Sequence, residues 1–171
     1  MTPGFTQDAG RSVLAVLPLV ATVFLALLSA VPTHLPSFQM VTPVFALAAV
    51  YFFAIYQPSL LPPPAVFGVG LFQDALLGLP FGLSALVLLG AYGLIVSQRN
   101  AFRGRPFLIA WAGFAVVTPV TVAVTWAIVS ALSGTVVPPI PAAFQTLLTI
   151  AVYPLINVAL AALTRLLPAA A

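Results

Sequence analysis

Cysteine, lysine and glutamate are all missing from this chain, and histidine occurs once. Without cysteine there are no disulfides, no thiolate metal sites and no thiol nucleophile. Charge of either sign is scarce as well. Only 4% of the residues are charged, where a soluble domain carries about 25%. What fills the space is apolar: 63% of the chain is hydrophobic, and the mean hydropathy is +1.22. This composition describes an integral membrane protein. Its backbone must be satisfied by helices or by a closed barrel. Alternating strands of about ten residues are absent and long apolar runs are present, so an all-α membrane bundle is expected. A chain of 171 residues holds about six spans with minimal loops.

The net charge of +3 rests on five arginines against two aspartates. Those arginines stand singly or as three near a helix end, not as the deep basic stripe a nucleic-acid binder needs. Catalytic chemistry is also poorly supplied. His34 falls in an outer turn, too isolated to serve as a base or to build a metal site with two distant aspartates. Gly68-Val69-Gly70 lies inside a span with no following Lys, so no phosphate-cradling loop is expected. No cofactor and no catalytic constellation follow from these residues.

Proline and glycine divide the apolar sequence. Spans are expected at about 12–31, 40–56, 65–78, 83–98, 107–132 and 142–164. The first is longer than a signal-peptide core, and Leu28-Ser29-Ala30 is a poor cleavage site, so it reads as retained. The connector from Gln57 to Pro64 is too rich in proline to be helical throughout. Spans three and four are short, and either cross where protein surrounds them or form a shallow re-entrant hairpin. Arg11, the group Arg99/Arg103/Arg105, and Arg165 fall on one side, while the loops at 32–38, 79–82 and 133–141 carry no Lys or Arg. Positive charge marks the cytoplasmic face, so both termini are expected there. The arginines fix topology and touch anionic headgroups. A sharper reading has Arg99, Arg103 and Arg105 docking a cytoplasmic partner.

Asp74 is the one acidic residue well inside an apolar run, in Gly70-Leu71-Phe72-Gln73-Asp74-Ala75-Leu76-Leu77-Gly78-Leu79-Pro80-Phe81-Gly82. A carboxylate at mid-bilayer depth costs roughly 2.5–3.5 kcal/mol on insertion scales, which makes it a candidate site. Gly70, Gly78 and Gly82 follow its four-residue spacing and would give one smooth helical face for close approach of a neighbour. The alternative is structural: a cap for span four, or a protonated carboxyl bonded to a backbone carbonyl. Interior polar groups at comparable depth are Thr118, Thr121 and Thr125 on span five, and Thr146, Thr149, Tyr153 and Asn157 on span six, with Tyr51 and Tyr56 on span two. Threonines in membrane helices mostly bond back to their own backbone, whereas an amide such as Asn157 seeks an interhelical partner. Pro119 and Pro154 should free carbonyls that nearby threonine hydroxyls can serve.

The run from Phe67 to Gly82 resembles the signature of the rod shape-determining MreD family: Gly, Leu, a hydrophobic residue and Asp, then Gly, a small turn and Gly again. Gln57-Pro58 after the aromatic Tyr51-Phe52-Phe53 is similar to that family's proline element, without its tryptophan. The resemblance implies a non-enzymatic subunit of the cell-elongation complex in the bacterial inner membrane. It implies an MreC-like bitopic partner, with RodA, a class B penicillin-binding protein and MreB in the same complex. It also implies a six-helix fold similar to the substrate-binding subunits of energy-coupling-factor transporters, with Gly70, Asp74, Gly78 and Gly82 as the characteristic segment. The leading expectation is therefore a membrane scaffold. A second is a small-molecule-binding subunit of a transporter, using an Asp74/Thr/Asn157 interior. A third, an enzyme acting on lipid-linked precursors, lacks acidic or basic catalysts.

Overall fold

The computed structural model describes residues 18–29, 43–102 and 104–166. Of these, 84% are helical and none is in a strand. The helices are α1 (Pro18–Ser29), α2 (Phe45–Tyr56), α3 (Pro63–Leu77), α4 (Leu83–Gln98), α5 (Phe107–Ser133) and α6 (Pro139–Leu166), with one 3₁₀ turn at Arg99–Ala101. Among the described residues two helices, Phe107–Ser133 and Pro139–Arg165, are long and apolar enough to cross a membrane. Helices α2, α3 and α4 run 12 to 16 residues, or about 18–24 Å at the helical rise. That falls short of the roughly 30 Å hydrocarbon thickness. Six full-length spans are thus more than these helices provide by length. The expected segment 40–56 contains a helix only from Phe45; residues 12–17, 30–31 and 40–42 of the expected first two spans lie outside the described residues, as do Arg11, His34 and Arg103.

The helix starts follow the chemistry of their first residues. α3 begins two residues earlier than expected and α6 three earlier, because Pro63, Pro64 and Pro139 fit a first turn whose N–H groups have no partner anyway. Neither α2 nor α4 has such a start, and neither has a capping side chain of its own. Both are capped from other helices. At α2 the N–H of Phe45 donates to Ser29 Oγ of α1 at 3.1 Å, and the N–H of Val44 donates to Thr149 Oγ1 of α6 at 3.1 Å.

α2 is the centre of the molecule. Every residue from Ala46 to Ile55 is buried, as expected for a helix with no polar face. Tyr51 is its keystone. The hydroxyl donates to the Ala110 carbonyl of α5 at 2.8 Å, and the ring meets Phe114, Tyr153 and Phe102 edge-on with centroids 5.1, 5.7 and 6.3 Å away. Gly113 makes room for this: a Cβ there would lie 2.5 Å from both the Tyr51 hydroxyl and the Phe102 ring.

Charge is sorted to one end. Tyr92, late in α4, donates to the Pro58 carbonyl at 3.3 Å, which brings the 57–62 connector beside the Arg99 turn. Phe107 and Arg165 line one shallow hollow, so the end of α6 joins them. Leu79 and Val137 share a cavity at the other end, where the Trp126 indole N–H donates to the Val137 carbonyl at 2.9 Å. Arg99, Arg105 and Arg165 therefore share one end, and the described loops at the opposite end are uncharged.

Replacing Tyr51 with Phe should lower stability by about 0.5–1.5 kcal/mol, the net value of one hydrogen bond, while Gly113→Val should cost more because its methyls enter the Tyr51–Phe102 contact. Thermal unfolding in mild detergent, followed by tryptophan fluorescence, checks the order.

Candidate functional site

The α3–α4 hairpin is organised by Asp74. α3 ends in a turn closed by that residue's own carbonyl, which accepts from the N–H groups of Gly78 and Leu79, the latter at 3.0 Å. This is the six-to-one and five-to-one pattern of a helix closed by a left-handed glycine. The side chain then reaches across the turn. Oδ2 accepts from the Gly82 N–H and Oδ1 from the Ser84 N–H, each at 2.8 Å. One fully buried residue thus finishes one helix and starts the next. Both carboxylate oxygens are spent on backbone donors that would otherwise be unpaired at the start of α4.

The structure decides how this segment is built. Asp74 lies in the last turn of α3, which ends at Leu77, one residue before the end of the expected span. Of the two structural alternatives, the cap for the following helix is the one seen, and no backbone carbonyl is its partner among the described residues. The glycines do not form one helical face. Gly78 and Gly82 have φ of 64° and 96° and lie in the turn, a backbone region open mainly to glycine. Gly70 alone serves a close approach, and its neighbour is within the chain: a Cβ there would sit 2.3 Å from Ala85 Cα and 2.6 Å from Ala85 N.

The interior hydroxyls mostly serve their own helices. Thr118 donates to the Phe114 carbonyl at 2.8 Å, Thr121 to those of Val117 and Thr118 at 3.1 and 2.8 Å, and Thr125 to that of Thr121 at 2.9 Å. Thr146 donates to the Ala142 carbonyl at 2.8 Å. Thr149 does both jobs, donating to the Gln145 carbonyl and accepting from the Val44 N–H of α2. Asn157, expected to bridge helices, instead donates to the Tyr153 hydroxyl one turn earlier at 3.1 Å. The carbonyl freed by Pro154 is that of Ile150, and its donor is not a threonine but the Trp111 indole N–H of α5 at 3.2 Å. Tyr56 is exposed at the end of α2 and packs on Phe52.

These groups do not converge on Asp74. A cavity of about 400 Å³ lies beside the hairpin turn, with Gln73, Ser84, Thr121, Thr125 and Gln145 in its wall and Trp126 near its rim. Asp74 and Asn157 do not line it; Asn157 belongs to the separate hollow beside Phe107 and Arg165. An Asp74/Thr/Asn157 pocket is therefore not what the chain builds. Gln73, Ser84 and Gln145 escaped the sequence reading. Their signal was available, since a glutamine within a membrane-like helix is nearly as unusual as an aspartate. Trp111 and Gly113 were missed because only the facing helices give them meaning.

Arg99 and Arg105 flank the turn at the basic end, and Phe102 between them is held against Tyr51. Among the described residues no group of three His, Cys, Asp or Glu is placed to hold a metal ion. Comparison of the chain with protein-family models, with curated proteins and with solved structures found no match.

Asp74→Ala leaves the buried Ser84 N–H and the part-buried Gly82 N–H without acceptors, at a cost of about 1–3 kcal/mol for the buried one and less for the other. Asp74→Asn retains one oxygen and should fall between wild type and Ala. Gly70→Ala should be as damaging as Asp74→Ala, because the obstacle at Ala85 is backbone. Midpoints of thermal unfolding in detergent give the ranking.

Proposed function

We propose that this chain is a non-enzymatic scaffold subunit of the bacterial cell-elongation complex, multi-pass in the inner membrane, which holds the transmembrane helix of an MreC-like bitopic partner. RodA, a class B penicillin-binding protein and MreB belong to the same assembly in this reading. The six helices are read as a six-span bundle with both termini and the basic end at the cytoplasm. The Phe67–Gly82 motif supports the family, and the all-helical apolar fold fits a membrane subunit.

The observation that carries the scaffold reading is the outer face of α4. Leu86 and Leu94 are exposed there, at 67% and 54%, and frame Gly90 and Gly93. A Cβ at either glycine would meet nothing within 4 Å. Such a notch, flanked by leucines, lets a second helix approach until backbones touch, which is how helices associate where lipid supplies no hydrophobic drive. It replaces the Gly70 face, which Ala85 already occupies. The hairpin behind it is fixed by Asp74, so the notch is presented on a rigid element. Arg99 and Arg105 orient the bundle and meet anionic headgroups.

Gly90→Leu combined with Gly93→Leu should lower recovery of the bitopic partner on affinity purification from native membranes by about tenfold, equivalent to roughly 1.4 kcal/mol. The amount inserted and the unfolding midpoint should stay at wild-type values. Undiminished recovery would remove the notch from the interface and with it the main support for a scaffold. Gly70→Leu is no substitute for this test, since it breaks the hairpin itself.

A further inference from the structure

α5 and α6 run antiparallel, and the hollow at the basic end lies where α6 continues past the start of α5. The Trp111 indole N–H, one turn into α5, donates to the Ile150 carbonyl at 3.2 Å, and the Phe107 ring lies nearly parallel to the Tyr153 ring with centroids 6.2 Å apart. These contacts set the first turn of α5 beside Tyr153, while α6 runs on to Leu166. Pro154, Asn157, Val158, Ala161, Ala162 and Arg165 share one face of that continuation. With Phe107 they wall a hollow of about 570 Å³, within the size range of ligand sites. Tyr153, Ile156 and Leu160, on another face of α6, are buried in the core. From Pro154 to Arg165 the wall extends about 16 Å at the helical rise, the depth of one leaflet in a hydrocarbon core of roughly 30 Å.

We propose that this hollow holds one anionic phospholipid, with its phosphate on Arg165 and an acyl chain along the α6 face beneath. The inference rests on the chain's place in a bilayer but not on the scaffold reading, and it singles out one arginine from the general headgroup attraction of the basic end. Arg165 is exposed in the last turn of α6 and makes no ion pair or hydrogen bond with another described residue. Its guanidinium presents five donors in a fork that matches a phosphate. Asp74 is engaged by Gly82 and Ser84 at the other end, and the one further acidic residue, Asp8, lies outside the described residues. Asn157 is the second polar group of the wall, and its amide nitrogen donates to the Tyr153 hydroxyl at 3.1 Å. Between Asn157 and Arg165 the wall is Val158, Ala161 and Ala162, apolar and small enough to admit a chain. The wall is thus sorted, with charge at the rim and hydrocarbon below, and its complement is amphipathic. A free phosphate would leave the apolar stripe uncovered, and a zwitterionic headgroup brings its own cation to compete for the phosphate. A cation in the last turn also suits the helix dipole, a role indifferent to the stripe beneath it.

Native mass spectrometry of the purified full-length chain in mild detergent tests the site, with dioleoyl phosphatidylglycerol or dioleoyl phosphatidylcholine added at equal concentration. One phosphatidylglycerol should be retained per chain, about tenfold more than phosphatidylcholine, the lower end for a hydrogen bond to a charged group. Arg165→Gln should abolish that preference, and Arg99→Gln, outside the hollow, should keep it. Ala162→Phe leaves every charge in place but fills the stripe. It should lower phosphatidylglycerol retention by about tenfold, the loss of contact with two chain methylenes. Dibutyryl phosphatidylglycerol, with the same headgroup and short chains, should be retained poorly, and Asp8→Asn should change nothing. Arg165 and Ala162 are both exposed, so the unfolding midpoints should stay at wild-type values; should Ala162→Phe fail to fold, Val158→Trp fills the same stripe from an exposed position. Equal retention of the two lipids would overturn the proposal. A preference that survives filling of the stripe would overturn it in favour of headgroup attraction alone, and a several-fold rise with Asp8→Asn in favour of the chain's own carboxylate on Arg165. Carbonate extraction of native membranes tests the bilayer reading separately: a chain that resists extraction yet shows no lipid preference loses this site alone, and a chain that is released loses both.

Discussion

Every backbone N–H at the start of a buried helix must find an acceptor, and in this protein that requirement decides which helices touch. Where water is excluded an unpaired donor costs several kcal/mol by analogy with amide transfer. α3 and α6 reduce the problem by starting on proline. α2 and α4 cannot, and each borrows its cap: α2 from Ser29 and Thr149, α4 from Asp74. The borrowed caps are also tertiary links. Thr149 ties α6 to the central helix, Ser29 ties α1 to it, and Asp74 locks α3 to α4. Carbonyls follow the same logic, with Trp111 serving the one that Pro154 frees.

The α3–α4 hairpin shows how one such link propagates. The Asp74 bonds fix the turn, Gly70 lets the two helices close on each other at Ala85, and the pair behaves as a unit. Because the unit is short, it leaves a cavity above its tip. Because its inner face is filled by its own partner helix, the helical glycines left open are Gly68 on α3 and Gly90 and Gly93 on α4. The open glycines and the cavity thus both descend from the length and locking of a single hairpin.

At the basic end, packing and charge are joined through Phe102. Its ring reaches the Tyr51 cluster while its neighbours along the chain carry the arginines. The turn between Arg99 and Arg105 is therefore anchored in the core and not merely exposed. Gly113 is the residue that permits this, by leaving space for both the tyrosine hydroxyl and the phenylalanine ring.

Composition and punctuation by proline were enough to determine an all-helical, lipid-compatible chain, the position of α4 and α5 to within a residue, and the grouping of the described arginines at one end. Those properties are local or additive: apolar runs, missing donors and charges act wherever they stand. The meaning of Asp74, Gly70 and Gln73 was not local. A four-residue spacing suggested a single helical face, but left-handed geometry at Gly78 and Gly82 broke the helix and turned the carboxylate into a cap. Which glycine is filled and which is open depends on what packs against it, and an amide is orphaned or satisfied only by its neighbours in space. The sequence by itself determined an apolar, all-helical chain; tertiary structure alone decided which polar groups are used up holding it together, because a hydrogen bond is spent only when a partner arrives.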